Sequence, residues 1–254
     1  LLPNLTRPHS LSPTQNTHTH THTHLLQICQ INTKDLETRA NLEVMILREL
    51  NSKYIVKYIS DFMLKDTEIK TRVVVTELMI DGNLNAYLNR VFSDGKVKPA
   101  VVVAFTKQII LGLSHMHDRP KPIVHRDIKC DNLFISSSDR SLKIGDMGLA
   151  TPEDHARKKS GTLQFMAPEM LEEHTTYDRR VDIYALGMVV YEMFARHVPY
   201  HGLTHAKVME MVLDHKRPED WEAVLPEGPI RSFVELCTHF DQNERCAPFF
   251  FLID

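Results

Sequence analysis

Apolar positions change their rhythm about a third of the way along this chain. Early on, β-branched runs alternate with polar residues. Leu25–Ile31 is short, apolar and strand-like, and Tyr54–Leu64 and Arg72–Met79 read as strands. Between the first two, Asp35–Leu50 places Leu36, Ala40, Val44 and Leu47 at helical spacing. Helical periodicity then takes over. Leu84–Val91 predicts a short helix, and Pro99 starts a longer one with Val102, Phe105, Ile109, Leu113 and Met116 on one face. Two short strands, Leu133–Ile135 and Leu142–Ile144, are separated by polar turn residues. Val181–Phe194 is apolar on every side and predicts a helix buried in a core, with further helices over His205–Leu213 and Pro229–Phe240. A small β-rich part followed by a larger α-rich part predicts an α+β protein of two lobes with a cleft between them.

Residues 1–24 do not share this patterning. They are rich in Pro, Ser, Thr and Asn and end in a Thr-His alternation over Thr17–His24. His18, His20, His22 and His24 are candidate metal ligands, but low-complexity sequence is the favoured reading. A CA-dinucleotide repeat translates as Thr-His, so this stretch is expected to be translated repeat DNA and an artefact of the gene model. The chain does not begin with Met, which reads as a fragment or a processed product.

Composition changes the picture little. The 254 residues, 43% of them apolar, suffice for a sizeable core. A formal net charge of −3 argues against wholesale binding to nucleic acid or an anionic membrane. Cys29, Cys130, Cys237 and Cys246 form no C-x-x-C pair, so reduced thiols in a cytoplasmic protein are the simplest expectation. No signal peptide is expected from the proline-broken residues Leu1–Ser12, and Val181–Phe194 falls short of the roughly 20 residues of a membrane span and carries Asp182 and Glu192.

The candidate chemistry lies in three motifs. His125-Arg126-Asp127-Ile128-Lys129-Cys130-Asp131-Asn132 is followed by Asp146-Met147-Gly148 and then by Ala167-Pro168-Glu169. In this order and spacing they match the catalytic-loop, D-F-G and A-P-E signatures of phosphoryl transfer, with Ile for Leu in the first and Met for Phe in the second. Such a reaction asks a protein for positioning and charge neutralisation. A carboxylate, Asp127, orients a hydroxyl and accepts its proton. Asp146 and Asn132 supply the hard oxygens that Mg²⁺ prefers, and Lys129 neutralises charge on the transferring group.

The chain therefore resembles the eukaryotic Ser/Thr protein kinases from Leu25 to Asp254. The resemblance implies ATP and Mg²⁺ as cofactors, a protein substrate, and a bilobal protein-kinase-like fold. Its truncated, β-rich N-lobe would span 25–80 and its large α-helical C-lobe 81–254. Lys two residues after Asp127 resembles the Ser/Thr-specific rather than the Tyr-specific branch. The family pattern places Glu43 as the helix glutamate that receives a strand lysine, although a lone helical Glu also reads as merely solvated. It makes Thr76 the gatekeeper, brings the backbone of Glu77 and Met79 to the adenine edge, and puts Phe134 beneath the base. Asp182 and Gly187 match the helix that anchors the catalytic loop. Glu169 and Arg245 match the pair that ties the activation segment to the C-lobe.

Within that family the stretches V-V-V-T-E-L-M-I-D-G-N-L, H-R-D-I-K-C-D-N-L-F-I, L-K-I-G-D-M-G-L-A-T and F-M-A-P-E-M-L-E-E resemble the With-No-Lysine (WNK) kinases. Cys29 falls where most kinases carry the strand lysine, as in WNK kinases, and otherwise reads as a small buried residue. WNK kinases use a Lys of the glycine-rich loop instead, yet Leu1–His24 contains neither Gly nor Lys, and Lys34 lies beyond the strand. The chain as written is therefore expected to bind ATP weakly and to transfer phosphate poorly. The alternative is a catalytically inactive kinase-fold scaffold. Lys158 stands where WNK kinases usually have an activation-segment Ser, which leaves Ser160 as a candidate phosphosite able to pair with Arg126. Arg157-Lys158-Lys159 reads as a solvated run or an attraction for acidic substrates. Met147 departs from the WNK chloride-binding pattern, so no chloride site is assigned, and Cys246–Phe251 departs from the usual kinase ending. The resemblance also implies Ste20-type kinases as substrates.

Overall fold

A computed structural model of the chain describes residues 24–64, 70–93, 95–136, 141–156, 160–172 and 176–245. The Thr-His alternation before His24, Arg157-Lys158-Lys159 and Cys246–Phe251 lie outside the described residues. Strand β1 (His24–Ile31) leads into helix α1 (Lys34–Glu49), whose first turn is capped by Thr33 Oγ1 accepting from the Leu36 amide at 3.2 Å. Strands β2 (Tyr58–Met63) and β3 (Lys70–Glu77) complete an antiparallel sheet of order β1-β3-β2. Helix α1 presents Ala40, Glu43, Val44, Ile46 and Leu47 inward. Leu36, expected on that face, is exposed in the first turn.

The sequence pattern puts a strand over Tyr54–Leu64, and only Tyr58–Met63 joins the sheet. Of the four residues before it, Tyr54 and Val56 bond to the other lobe, while Lys57 bonds to Glu77 of β3. The Val56 amide donates to Ile144 O at 2.9 Å, and the Ile144 amide to Tyr54 O at 2.9 Å. Those β-branched residues are extended because they bridge the lobes. The third strand ends two residues earlier than expected, so Leu78 and Met79 belong to the turn that leaves the sheet.

The larger lobe begins with α2 (Leu84–Val91) and α3 (Pro99–His117). By length and composition α3 suffices to cross a membrane, which the sequence reading did not expect of any segment. In the fold its Val102, Ile109, Ile110, Leu113 and Met116 are buried in the core, while Phe105 is half-buried edge-to-face with Tyr87. Strand β4 (Ile123–Val124) pairs with β7 (Thr151–Pro152), and β5 (Leu133–Ser136) forms a hairpin with β6 (Ser141–Ile144). A short α4 (Pro168–Leu171) precedes α5 (Arg180–Ala195), which is buried from Val181 to Met193. Helices α6 (His205–Leu213), α7 (Trp221–Val224) and α8 (Pro229–Cys237) pack around it. Helix α8 ends three residues before the predicted Phe240. Gly187 lets α8 approach α5, since a Cβ there would lie 2.5 Å from Thr238 Cγ2 and 2.9 Å from Cys237 Cβ.

Candidate active site

The loop between β4 and β5 carries His125, Arg126, Asp127, Lys129 and Asn132, and it is built on Asp182. This carboxylate is fully buried near the start of α5. It accepts from the His125 amide at 2.8 Å, the Arg126 amide at 2.8 Å and His117 Nε2 at 2.9 Å. Burial alone would raise its pKa, but the hydrogen bond and charge of His117 and the nearby His125 hold it below the ordinary value. Arg126 is left-handed (φ 68°), a conformation the two Asp182 bonds stabilise. Its guanidinium donates to Leu149 O at 2.7 Å and to the Tyr177 hydroxyl at 3.5 Å. Ser160 is half-buried, directly before Gly161.

Asp127 is held at both oxygens. Oδ1 accepts from the Thr162 amide at 2.9 Å and the Thr162 hydroxyl at 2.7 Å. Oδ2 accepts from Asn132 Nδ2 at 2.9 Å and pairs with Lys129 Nζ at 2.9 Å. Lys129 Nζ also donates to Thr162 Oγ1 at 2.7 Å. Burial pushes the Asp127 pKa up, and the Lys129 and Thr162 hydrogen bonds outweigh it, so the net shift is downward. Thr162 reaches this position because Gly161 precedes it. Gly161 has φ +121°, and a Cβ there would lie 2.3 Å from Arg126 O.

The β5–β6 hairpin brings Asn132 against Gly145, the residue before Asp146. Leu133 faces Ile144 in register, and the Gly145 amide donates to Asn132 O at 2.9 Å. Asp146 is left-handed (φ 57°), with its Oδ1 accepting from the Gly148 amide at 3.3 Å. Since Asn132 Nδ2 is spent on Asp127 O and Oδ2, its amide oxygen points the other way. An amide oxygen and a carboxylate are the kind of hard-oxygen donors that suit Mg²⁺.

The remaining predicted positions lie on β5, on β3 and in the turn that follows β3. Phe134 lies against Gly145, where a Cβ would come within 2.8 Å of its ring. Thr76 is buried on β3, in register with Leu25. Glu77 N donates to Lys57 O at 3.0 Å, and the Met79 carbonyl accepts from the Gly82 amide at 3.1 Å. The Glu77 side chain does something the sequence did not disclose. It accepts from the Lys57 amide at 2.7 Å and pairs with Lys143 Nζ at 2.7 Å, which ties the small lobe to β6. Complementary charge at positions 77 and 143 was the available signal. The register that joins them was not.

Glu43 stands apart. It is 5% exposed, and its Oε1 has no hydrogen-bond partner among the described residues. Gln27, on the neighbouring face of β1, bonds its carboxyl. A Cβ on Gly148 would lie 3.2 Å from Asp146 Oδ1 and 3.9 Å from Glu43 Oε2, so the two acids flank one point. Burial first, and then Asp146, push the Glu43 pKa up to about 7. Cys29 lies beside this pair. Burial and then Glu43 drive its thiol up to about 11, with Arg72 acting in the opposite sense. Cys29 thus occupies the place from which a strand lysine would answer Glu43.

Glu169 and Arg245 form a bidentate pair at 2.5 and 2.8 Å, with the guanidinium over the Tyr184 ring at 5.0 Å from its centroid. A family model described as the protein kinase domain matches residues 17–251. The chain belongs to the protein kinase family. The curated relatives of this kinase domain include the serine/threonine-protein kinase Wnk of Drosophila melanogaster, 39% identical over 216 residues that make up 84% of this chain and 8% of the relative. Human WNK4 is 38% identical over 225 residues, 85% of this chain and 18% of the relative. The WNK of Caenorhabditis elegans is 37% identical over 235 residues, 90% of this chain and 12% of the relative. The kinase domain described here thus spans less than a fifth of each of these relatives.

Proposed function

We propose that this domain transfers the γ-phosphoryl group of ATP to a serine or threonine hydroxyl of a protein substrate, with WNK-like use of the cleft. The caged carboxylate of Asp127 carries the reading. Four hydrogen-bonding or ionic contacts fix its two oxygens, and its lowered pKa keeps it ionised at neutral pH. An anchored carboxylate of this kind orients a hydroxyl and takes its proton. Lys129, shared between Asp127 and Thr162, is placed to offset negative charge as it develops on the transferring group. Asn132 Oδ1 and the Asp146 carboxylate would hold Mg²⁺, which neutralises phosphate charge when bound. Phe134 and the turn over Glu77–Met79 would bracket the base.

The same reading makes transfer by the chain as given weak. Among the described residues no lysine pairs with Glu43, and a buried carboxyl with an orphan oxygen is poorly held for its task. The test is Mg-ATP-dependent phosphorylation of a generic Ser/Thr protein substrate. Slow transfer that Asp127→Asn removes is the expected result. Nucleotide binding with no transfer under any condition would favour the scaffold reading.

A further inference from the structure

Glu43 lacks a lysine, but a cation stands one strand away. Arg72 of β3 is the direct cross-strand partner of Cys29. Directly opposed residues on one face of an antiparallel pair have Cβ atoms about 4.5–5.5 Å apart. Cys29 and Arg72 therefore share the sheet face that covers Glu43. The Cys29 sulfur is within electrostatic reach of both charges, Glu43 raising its pKa and Arg72 lowering it.

Arg72 is incompletely used where it is. Among the described residues its Nη1 makes a 3.4 Å pair with Asp61 Oδ2 and its buried Nε has no partner. Asp61 does not depend on it, because Oδ1 already receives the Tyr58 hydroxyl at 2.6 Å and Arg48 Nη2 at 2.5 Å. Near Cys29 there are thus, among the described residues, a buried guanidinium nitrogen without an acceptor and a buried carboxyl oxygen without a donor.

We propose that Arg72 is the positioning residue that replaces the strand lysine in this kinase domain, swinging from Asp61 across Cys29 to hold Glu43 and the nucleotide phosphates. The inference rests on the kinase reading of the cleft. A planar guanidinium suits both partners, since it can bond a carboxylate and a phosphate at once. Asp61, retained by Arg48 and Tyr58, loses only its longest contact when Arg72 leaves.

The test is Mg-ATP affinity, measured by calorimetry on the whole chain and four variants. Arg72→Gln should weaken binding by about tenfold or more, the scale of one charge-assisted contact. Asp61→Asn should leave affinity unchanged or improve it, because it frees Arg72. Cys29→Lys placed on Arg72→Gln should restore affinity at least to that of the native chain, which a purely structural role for Arg72 beside Asp61 would not allow. An unchanged affinity in Arg72→Gln, a parallel loss in Asp61→Asn, or failure of the double variant to recover would each overturn the proposal. Absence of Mg-ATP binding by both the native chain and Cys29→Lys alone would instead overturn the kinase reading, and this inference with it.

Discussion

Asp182 and Glu43 are both buried carboxyl groups on helices, and they are treated in opposite ways. Asp182 receives three donors, two of them backbone amides of the loop it supports. Glu43 receives the amide of Gln27 and keeps one oxygen without a partner, facing a second acid. A saturated buried carboxylate fixes its surroundings, whereas an unsaturated one marks a place where a charge is still required. The larger lobe is built in the first way, around Asp182, Asp127 and Glu169. The smaller lobe keeps the second kind at the cleft.

Breaking the saturated site should cost most. Asp182→Ala leaves two buried amides and a buried histidine without an acceptor, so a loss of about 3–5 kcal/mol is expected, read as a fall in the urea midpoint. The native protein carries the same dependence on pH. The folded pKa of Asp182 lies below its ordinary value of 3.8, so its stabilisation is complete above that value and is lost as pH falls through the folded one. Stability that stayed flat through the acid range in the native chain, or fell there no more steeply than that of Asp182→Ala, would contradict this.

Next in size is Gly161→Ala. The new methyl group would meet Arg126 O at 2.3 Å in a backbone conformation unfavourable to L side chains. Thr162 must then move off Asp127, and a misplacement of this kind lowers turnover by roughly 100-fold with little change in ATP affinity. A comparable loss of ATP affinity would mean that the damage reaches beyond the Asp127 cage.

Glu43→Gln sharpens the comparison from the other side. With a folded pKa of about 7 against an ordinary 4.5, ionised Glu43 opposes folding increasingly as pH rises between those values. Its replacement by Gln should stabilise the domain at pH ~8 by up to about 2 kcal/mol and have little effect at pH ~5. Thermal melts at the two pH values check this, and a loss of stability at pH ~8 would show that Glu43 is already paired. The smallest effect expected is that of Lys143→Gln. It removes the interlobe pair with Glu77 and should cost about 1 kcal/mol, read in the same melts.

Much of this was legible before any coordinates. Asp127, Asn132 and Asp146 follow from motifs whose spacing a hairpin and a short loop dictate, and the buried Val181–Phe194 helix follows from apolarity on all sides. The less legible parts depend on register. Tyr54–Val56 has the composition of a sheet strand, but Tyr54 and Val56 bond to Ile144 of β6 in the other lobe. The Glu77–Lys143 pair spans 66 residues of sequence. Arg72 reads as one more charged residue until β3 is laid against β1 with Cys29 opposite it. Periodicity reports which face a residue occupies. It does not report which residue of another strand stands beside it.

Under the proposed function, the catalytic loop is complete and the charge facing Glu43 is what limits transfer. The most direct test is steady-state phosphoryl transfer from Mg-ATP by the native chain, by Cys29→Lys and by Cys29→Lys combined with Asp127→Asn. The account predicts that Cys29→Lys raises kcat/KM for ATP by about tenfold or more and that adding Asp127→Asn abolishes the gain. A Cys29→Lys chain that binds Mg-ATP tightly and still transfers nothing would contradict it, and would place the deficiency in the loop around Asp127.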